Sequence, residues 1–449
     1  MKSRLTTVIA LVLMAAGLIT LSACTTIEPL AATVDAAALE ASDERRAARR
    51  QRAAVPLEEC IAMVEADLER TMVPITIDHG GERFGEGGVL VPRFLRDDGR
   101  PGPLFVESNT AVLSALAARY GATGDPWAKE MGERLIRGIL AMDARSGELD
   151  GFVPFDLHPR TLAPSDHDTH ANVYTQLLFA YALAHEAFGP NEDIERHVSL
   201  IYRRYVEDNF RLRQRDGSRT PRNNLRVILF TVNARQALGR RLLDRAALTL
   251  GDESTRELAE RKRWGGPLLG PLHFRLFNFE LPTTSSSWLS LQGMTALTLL
   301  GDSYESRIIS LTRKYERDDN PFFRAIAALH GADEDLAAIR RRLEEFPYPA
   351  TDQGVINTHR TDVEIVTGDF VKLNASPESR EPLPLYEIAS DTYLWKGRLR
   401  RVDTRRRDRP QTVLGHDLLQ AYWLMRWVES GKVRRHEGTE GDGRAGVTE

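Results

Sequence analysis

Nearly chargeless helices set the limits on this chain, because a helix without ions on any face has to be enclosed by protein. From Ser108 to Tyr120 the only charge is Arg119, no Asp, Glu, Lys or Arg lies between Asp168 and Glu186, and Thr284 to Leu300 has none. Each run stops at a short turn (GATGDP, GPNED, Gly301-Asp302), and a charged helix with one apolar stripe follows. The stripes are Trp127, Met131, Leu135, Ile139 and Met142 after a starting Pro126; Ile194, Val198, Ile201, Tyr202 and Tyr205; and Tyr304, Ile308, Leu311 and Tyr315. A weaker copy runs from Asn224 to Gly239 and on through Leu242 to Leu250, and Val413 to Val428 reads as a last core helix.

An enclosed helix, a turn and a half-exposed helix, recurring about every 55 to 60 residues, is the pattern of an all-α fold, an (α/α) toroid or barrel of helical hairpins. Inner helices lose both faces to protein there, and outer ones lose one. A flat α-solenoid, the competing architecture, repeats with a shorter and more regular period. A first helix is expected over about Leu57 to Met72, with Cys60 on its apolar side as a small buried hydrophobe. Between about Phe346 and Pro410 the helical signal lapses, and DVEIVTGDF and DTYLWKGRLRRV read as strands of a lid or small sheet. The toroid domain is thus expected over 56–430 with a minor β/loop region, and the polar residues 431–449 as a disordered tail.

The first 23 residues read as an export signal, with Lys2 and Arg4 ahead of an apolar run from Val8 to Leu21. Its end, Leu21-Ser22-Ala23-Cys24, resembles a bacterial lipobox. That implies cleavage before Cys24, acylation of its thiol and, with Thr25 rather than Asp following, an outer-membrane address. An uncleaved anchor helix is the alternative, for which the run is short. Residues 24–55 are Ala-rich and close on DERRAARRQR, a tether whose arginines are either solvated or against anionic head groups or polysaccharide. With Cys24 acylated, Cys60 has no partner and no disulfide is expected. A net charge of −4, near −6 once Lys2 and Arg4 are removed, gives no case for a nucleic-acid partner.

If the inner helices run parallel, their N-terminal ends meet at one mouth, where unpaired N–H groups and positive dipole ends favour an anion. The segments gathered there are Glu107, Ser108 and Asn109; Asp166, His167, Asp168, His170 and Asn172; Arg222, Asn223, Asn224 and Arg226; Thr283 to Ser287 with Trp288; and His416 with Asp417. Asp168, Ser108, Asn223 and Thr284 are equally residues that cap helices. His170, Asn172 and Tyr174 lie within the helix, where a buried polar group needs a partner, and His170 and Tyr174 share a face as a base and an acid would. The cluster Asp166, His167, Asp168 and His170 has the chemistry of a Zn²⁺ or Ca²⁺ site, but no separated third cluster accompanies it, so no metal is assigned. Trp288, Tyr393 and Trp395 are either sugar platforms or core aromatics. No phosphate-binding loop, nucleophile elbow or dinucleotide fingerprint occurs, and no cofactor is expected.

Two stretches resemble parts of the toroidal domain of D-glucuronyl C5-epimerases, over about a tenth of the chain. FDLHPRT followed by DTHANVYTQLL resembles that family's Tyr-Asp-Leu segment and its Asp/His-rich helix ending in His-x-Asn-Gln-Leu; LPTTSSSWLSLQGMTAL resembles its Pro-Thr-Thr-x-Ser-Ser helix opening. The hairpin pattern is similar to six-hairpin and related α/α-toroid proteins, mostly glycoside hydrolases, polysaccharide lyases and uronate epimerases. The resemblance implies a carbohydrate-active class, with His170, Asn172 and Tyr174 as the matched positions. The leading expectation is an envelope lipoprotein acting on an acidic polysaccharide by β-elimination or C5 epimerisation. In it His170 or His167 is the base, Tyr174 the acid, and Arg222 or Asn224 binds the carboxylate, while Arg226, Asn172, Trp288, His416 and Asp417 line the substrate. The alternatives are hydrolysis by Asp166 or Asp168 paired with Asp417, and a non-catalytic lipoprotein that binds glycan or envelope proteins.

Overall fold

The computed structural model describes residues 55–92, 101–145, 149–164, 169, 171–207, 284–299, 304–346, 364–367, 370–373, 382, 384–385, 395, 401–403 and 415–433. Among the described residues the fold is mostly helical, with 66% helix against 11% strand. The chain runs through α1 (Leu57–Thr71), β1 (Val73–His79), β2 (Glu82–Leu90), β3 (Leu104–Phe105), α2 (Val106–Thr123), α3 (Pro126–Arg145), β4 (Asp156–Leu157), α4 (Ala171–Phe188) and α5 (Glu192–Glu207). It continues with α6 (Thr284–Leu299), α7 (Glu305–Arg313), α8 (Pro321–Leu329), α9 (Leu336–Leu343), β5 (Glu364–Thr367), β6 (Phe370–Leu373), β7 (Arg401–Asp403) and α10 (His416–Glu429).

The chargeless segments form the buried helices. In α2 every residue from Val106 to Ala118 is buried, whereas α3 buries one stripe with Met131, Leu135, Ile139 and Met142. α2 packs on α4 and on α10, α4 on α6, α6 on α8, and α8 on α10, so the line of contacts returns to its start. α3 lies against α2 and α5, α7 against α6 and α8, α9 against α8 and α10, and α1 against α10. Side-chain pairs give the helix directions. At one end Gln176 of α4 meets Glu107 of α2 at 2.8 Å, and at the other Phe188 meets Tyr120 with ring centroids 5.6 Å apart, so α2 and α4 run parallel. Likewise Gln420 of α10 bonds Ser114 of α2 at 2.8 Å, and Lys432, just past α10, bonds the Ala122 carbonyl at 3.0 Å.

Close approach needs glycine at these seams. A Cβ on Gly121 of α2 would enter the Trp427 indole of α10, and one on Gly138 of α3 would fall on the Val89 carbonyl of β2. β1 and β2 are antiparallel, from Val73 opposite Leu90 to His79 opposite Glu82, and lie on α3. Their two-residue turn, Gly80-Gly81, has φ of 59° and 83°, the left-handed geometry that suits a tight hairpin. β5 lies between antiparallel β6 and parallel β7; β5 falls within the first stretch read as a strand, β6 begins at its last residue and β7 at the end of the second.

Several helices begin at polar caps. Asp125 Oδ1 accepts from Trp127 N–H ahead of α3, Asn191 Oδ1 from Ile194 N–H at α5, and Asn320 from Phe322 and Phe323 N–H at α8. One difference from the sequence reading stands out: α8 with α9 is a further hairpin that the charge pattern did not mark. Cys60 is buried on α1 and burial pushes its thiol above the ordinary range, the state of a packing residue.

Candidate functional site

Several of the buried polar groups lie on or beside the N-terminal turns of the buried helices. Glu107, on the first turn of α2, is 4% exposed and accepts a hydrogen bond from Gln176 Nε2 of α4. Asp156, also 4% exposed, stands on the strand next to the start of α2. β4 pairs with β3 so that Asp156 stands opposite Phe105, two residues before Glu107, and Val106 N–H donates to Phe155 C=O at 3.2 Å. Asp417 and His416, on the first turn of α10, are 8% and 7% exposed. Thr169 is buried just ahead of α4. The helix openings thus carry buried acids, Glu107 on α2 and Asp417 on α10, with Asp156 on the strand beside α2, residue types able to donate and accept protons.

Several neighbours serve the frame. Asn109 Oδ1 accepts from Val91 N–H at 2.9 Å, and its Nδ2 donates to the carbonyls of Val91 and Phe105 at 3.2 and 2.8 Å, which bolts the exit of β2 to α2. Trp395 is fully buried; its Nε1 donates to Asp417 C=O at 2.8 Å and its carbonyl accepts from Asn320 Nδ2 at 3.2 Å, joining the starts of α10 and α8. Deeper in, His330 Nε2 lies 3.2 Å from Thr295 Oγ1, between the late residues of α8 and α6. Burial lowers the His330 and His416 imidazoles to about 4, so both are neutral at neutral pH. His416 there is a hydrogen-bonding group, without the charge to hold a carboxylate.

Of the residues singled out from sequence, Asp417 and His416 lie at such an opening. Asn172 is the second residue of α4. Tyr174 is 1% exposed, and its hydroxyl donates to Gly151 C=O and accepts from Val153 N–H, both at 3.1 Å. The hydroxyl is thus hydrogen-bonded to the backbone of the loop that follows α3. Trp288 is 2% exposed and packs in the core, with no open face for a sugar. Asp166, His167, Asp168, His170, Arg222, Asn223, Asn224, Arg226, Tyr393 and Cys24 lie outside the described residues. Gln176 and Asp156 were missed. A glutamine inside a chargeless helix was the available signal for the first, since a buried amide needs partners.

Among the described residues no group of three or more His, Cys, Asp or Glu is placed to hold a metal ion, and no helix is long and apolar enough to cross a membrane. No protein-family model matches the chain, and no curated protein matches it.

Proposed function

We propose that the chain is an acyl-anchored envelope protein built as an α/α toroid, and that it hydrolyses glycosidic bonds of a polysaccharide. The support for a toroid is the line of buried-helix contacts that returns to its start, with parallel neighbours. The observation that carries the chemistry is the pair of acids on the two sides of Phe105: Glu107 on α2 and Asp156 on β4. Glycoside hydrolysis needs two carboxyl groups, one to protonate the leaving oxygen and one to activate water or attack the sugar. A carboxyl separation of about 5 Å would mean retention of configuration, and roughly 6.5 to 9.5 Å inversion. Asp417 and His416 flank the sugar from α10. Elimination or epimerisation would ask Tyr174 for a proton that it holds on Gly151, which is why hydrolysis is preferred. The acidity of the glycan rests on Arg222 and Arg226 and on the family resemblance, and the anchor on Cys24 and its lipobox.

The test is release of reducing ends from a panel of envelope and uronate polysaccharides by the full chain. Glu107→Gln and Asp156→Asn should each lower it by about a hundredfold or more, the usual contribution of general acid or base catalysis. Products absorbing in the ultraviolet would return the chemistry to elimination. A second reading, a non-catalytic lipoprotein that binds glycan or envelope partners, is favoured by the slight exposure of both acids, 4% each. It predicts no products and unchanged glycan binding in Glu107→Gln.

A further inference from the structure

We infer that Tyr174 and Asp143 are positioning residues that set Asp156 beside the opening of α2, an inference that rests on the hydrolytic reading of that acid. The segment delivering Asp156 is held at Gly151 by both of its backbone groups. Gly151 N–H donates to Asp143 Oδ2 of α3 at 2.8 Å, and Gly151 C=O accepts from the Tyr174 hydroxyl of α4 at 3.1 Å. Two residues on, Val153 N–H donates to the same hydroxyl at 3.1 Å. Gly151 has φ +86°, and a Cβ there would run into the Leu200 and Ile201 backbone of α5, so the loop meets that helix main chain to main chain.

Both anchoring side chains are buried. Asp143 is fully buried, and His197 Nε2 of α5 lies 3.3 Å from its Oδ2. His197 Nδ1 is 2.7 Å from the Tyr181 hydroxyl of α4, which burial keeps well above its ordinary range and so protonated. Asp150 adds an ion pair with Arg204 of α5, whose guanidinium lies 4.9 Å from the Phe152 ring. From this clamp the chain runs three residues to Asp156, where pairing with Phe105 completes the delivery. A strand of only two residues does not fix a carboxyl alone, because so short a pairing contributes little by itself. The clamp from α3, α4 and α5 supplies the missing rigidity, and preorganisation of this kind counts in catalysis because an error of about 1 Å can cost about a hundredfold.

The experiment combines hydrogen–deuterium exchange over residues 149–157 of the full chain with steady-state kinetics. Tyr174→Phe keeps the ring and removes the hydroxyl. Exchange in this segment should rise about tenfold or more while that of α2 and α4 stays as in wild type, as expected when local opening alone is affected. Its kcat should fall about ten- to hundredfold with KM little changed and both limbs of the pH profile kept. Asp143→Leu should likewise free the Gly151 amide, and Asp143→Asn, which retains an acceptor oxygen, should restore its protection. Unchanged exchange in both Tyr174→Phe and Asp143→Leu would overturn the clamp. Abolished turnover with loss of the alkaline limb in Tyr174→Phe would instead make the phenol the proton donor and overturn the positioning role. A wild-type chain that cleaves no polysaccharide, yet shows the exchange changes, would overturn the hydrolytic reading and leave the clamp standing.

Discussion

Asn109 and Tyr174 both place a polar group in a helix interior, and in both the group serves backbone from a distant segment. Removing the Asn109 amide leaves Val91 N–H and the Val91 and Phe105 carbonyls without that partner, all at a buried site. Each such loss costs about 1–3 kcal/mol, so Asn109→Ala should destabilise the chain by roughly 3 kcal/mol, readable as a lower urea midpoint at unchanged slope. His330 makes a different prediction. Its imidazole titrates near 6.5 when unfolded and near 4 when folded, so the fold favours the neutral form. Stability from this group is complete above 6.5 and is lost as pH falls from 6.5 toward 4. At about 1.4 kcal/mol per unit the loss approaches about 3 kcal/mol, and His330→Gln should flatten that part of a stability profile measured by denaturant titration.

Among the elements, α2, α4 and α6 were legible because length and absence of charge coincide in each. α8 was not. It is nine residues long and carries Arg324, which reads as a surface charge. In the fold that guanidinium is met by Asp319 at 2.9 Å and Glu334 at 2.8 Å, so a helix packed among buried neighbours keeps an arginine at its edge. His416 and Asp417, named from the sequence, do fall on the first turn of a buried helix, where polar residues are common in any such hairpin array. The rest of the candidate site was not legible. Gln176 sits in a run that looks merely uncharged, and Asp156 is brought in by a two-residue pairing with no sequence period. Nor does spacing reveal that the Tyr174 hydroxyl is engaged by a loop more than 20 residues upstream. The seams give a prediction at this level. Gly138→Ala should force the β1–β2 hairpin off α3, at a cost of about 1–3 kcal/mol for an overpacked contact, measured as a lower melting temperature.

In the molecule as a whole, the first and last helices are secured at the far ends of the buried helices. Arg119 of α2 pairs with Glu65 of α1 at 2.6 Å and Asp125 at 2.8 Å, and lies 4.7 and 5.2 Å from the Trp127 and Trp423 rings. Trp423 Nε1 of α10 also donates to Glu65 at 3.1 Å, so four helices share one knot. Burial raises the Glu65 carboxyl against the lowering effect of Arg119, and Arg119→Ala should therefore leave a half-buried acid and lower stability by about 2–4 kcal/mol, read from thermal unfolding. On the proposed reading the substrate approaches the other end, at the first turns of α2 and α10. The most direct measurement is a crystal structure of Glu107→Gln soaked with an oligosaccharide that the wild type cleaves. The account predicts sugar seated across the first turns of α2, α4 and α10, with Asp156 against the scissile bond. Sugar bound elsewhere, with Glu107 and Asp156 sealed beneath protein, would contradict it.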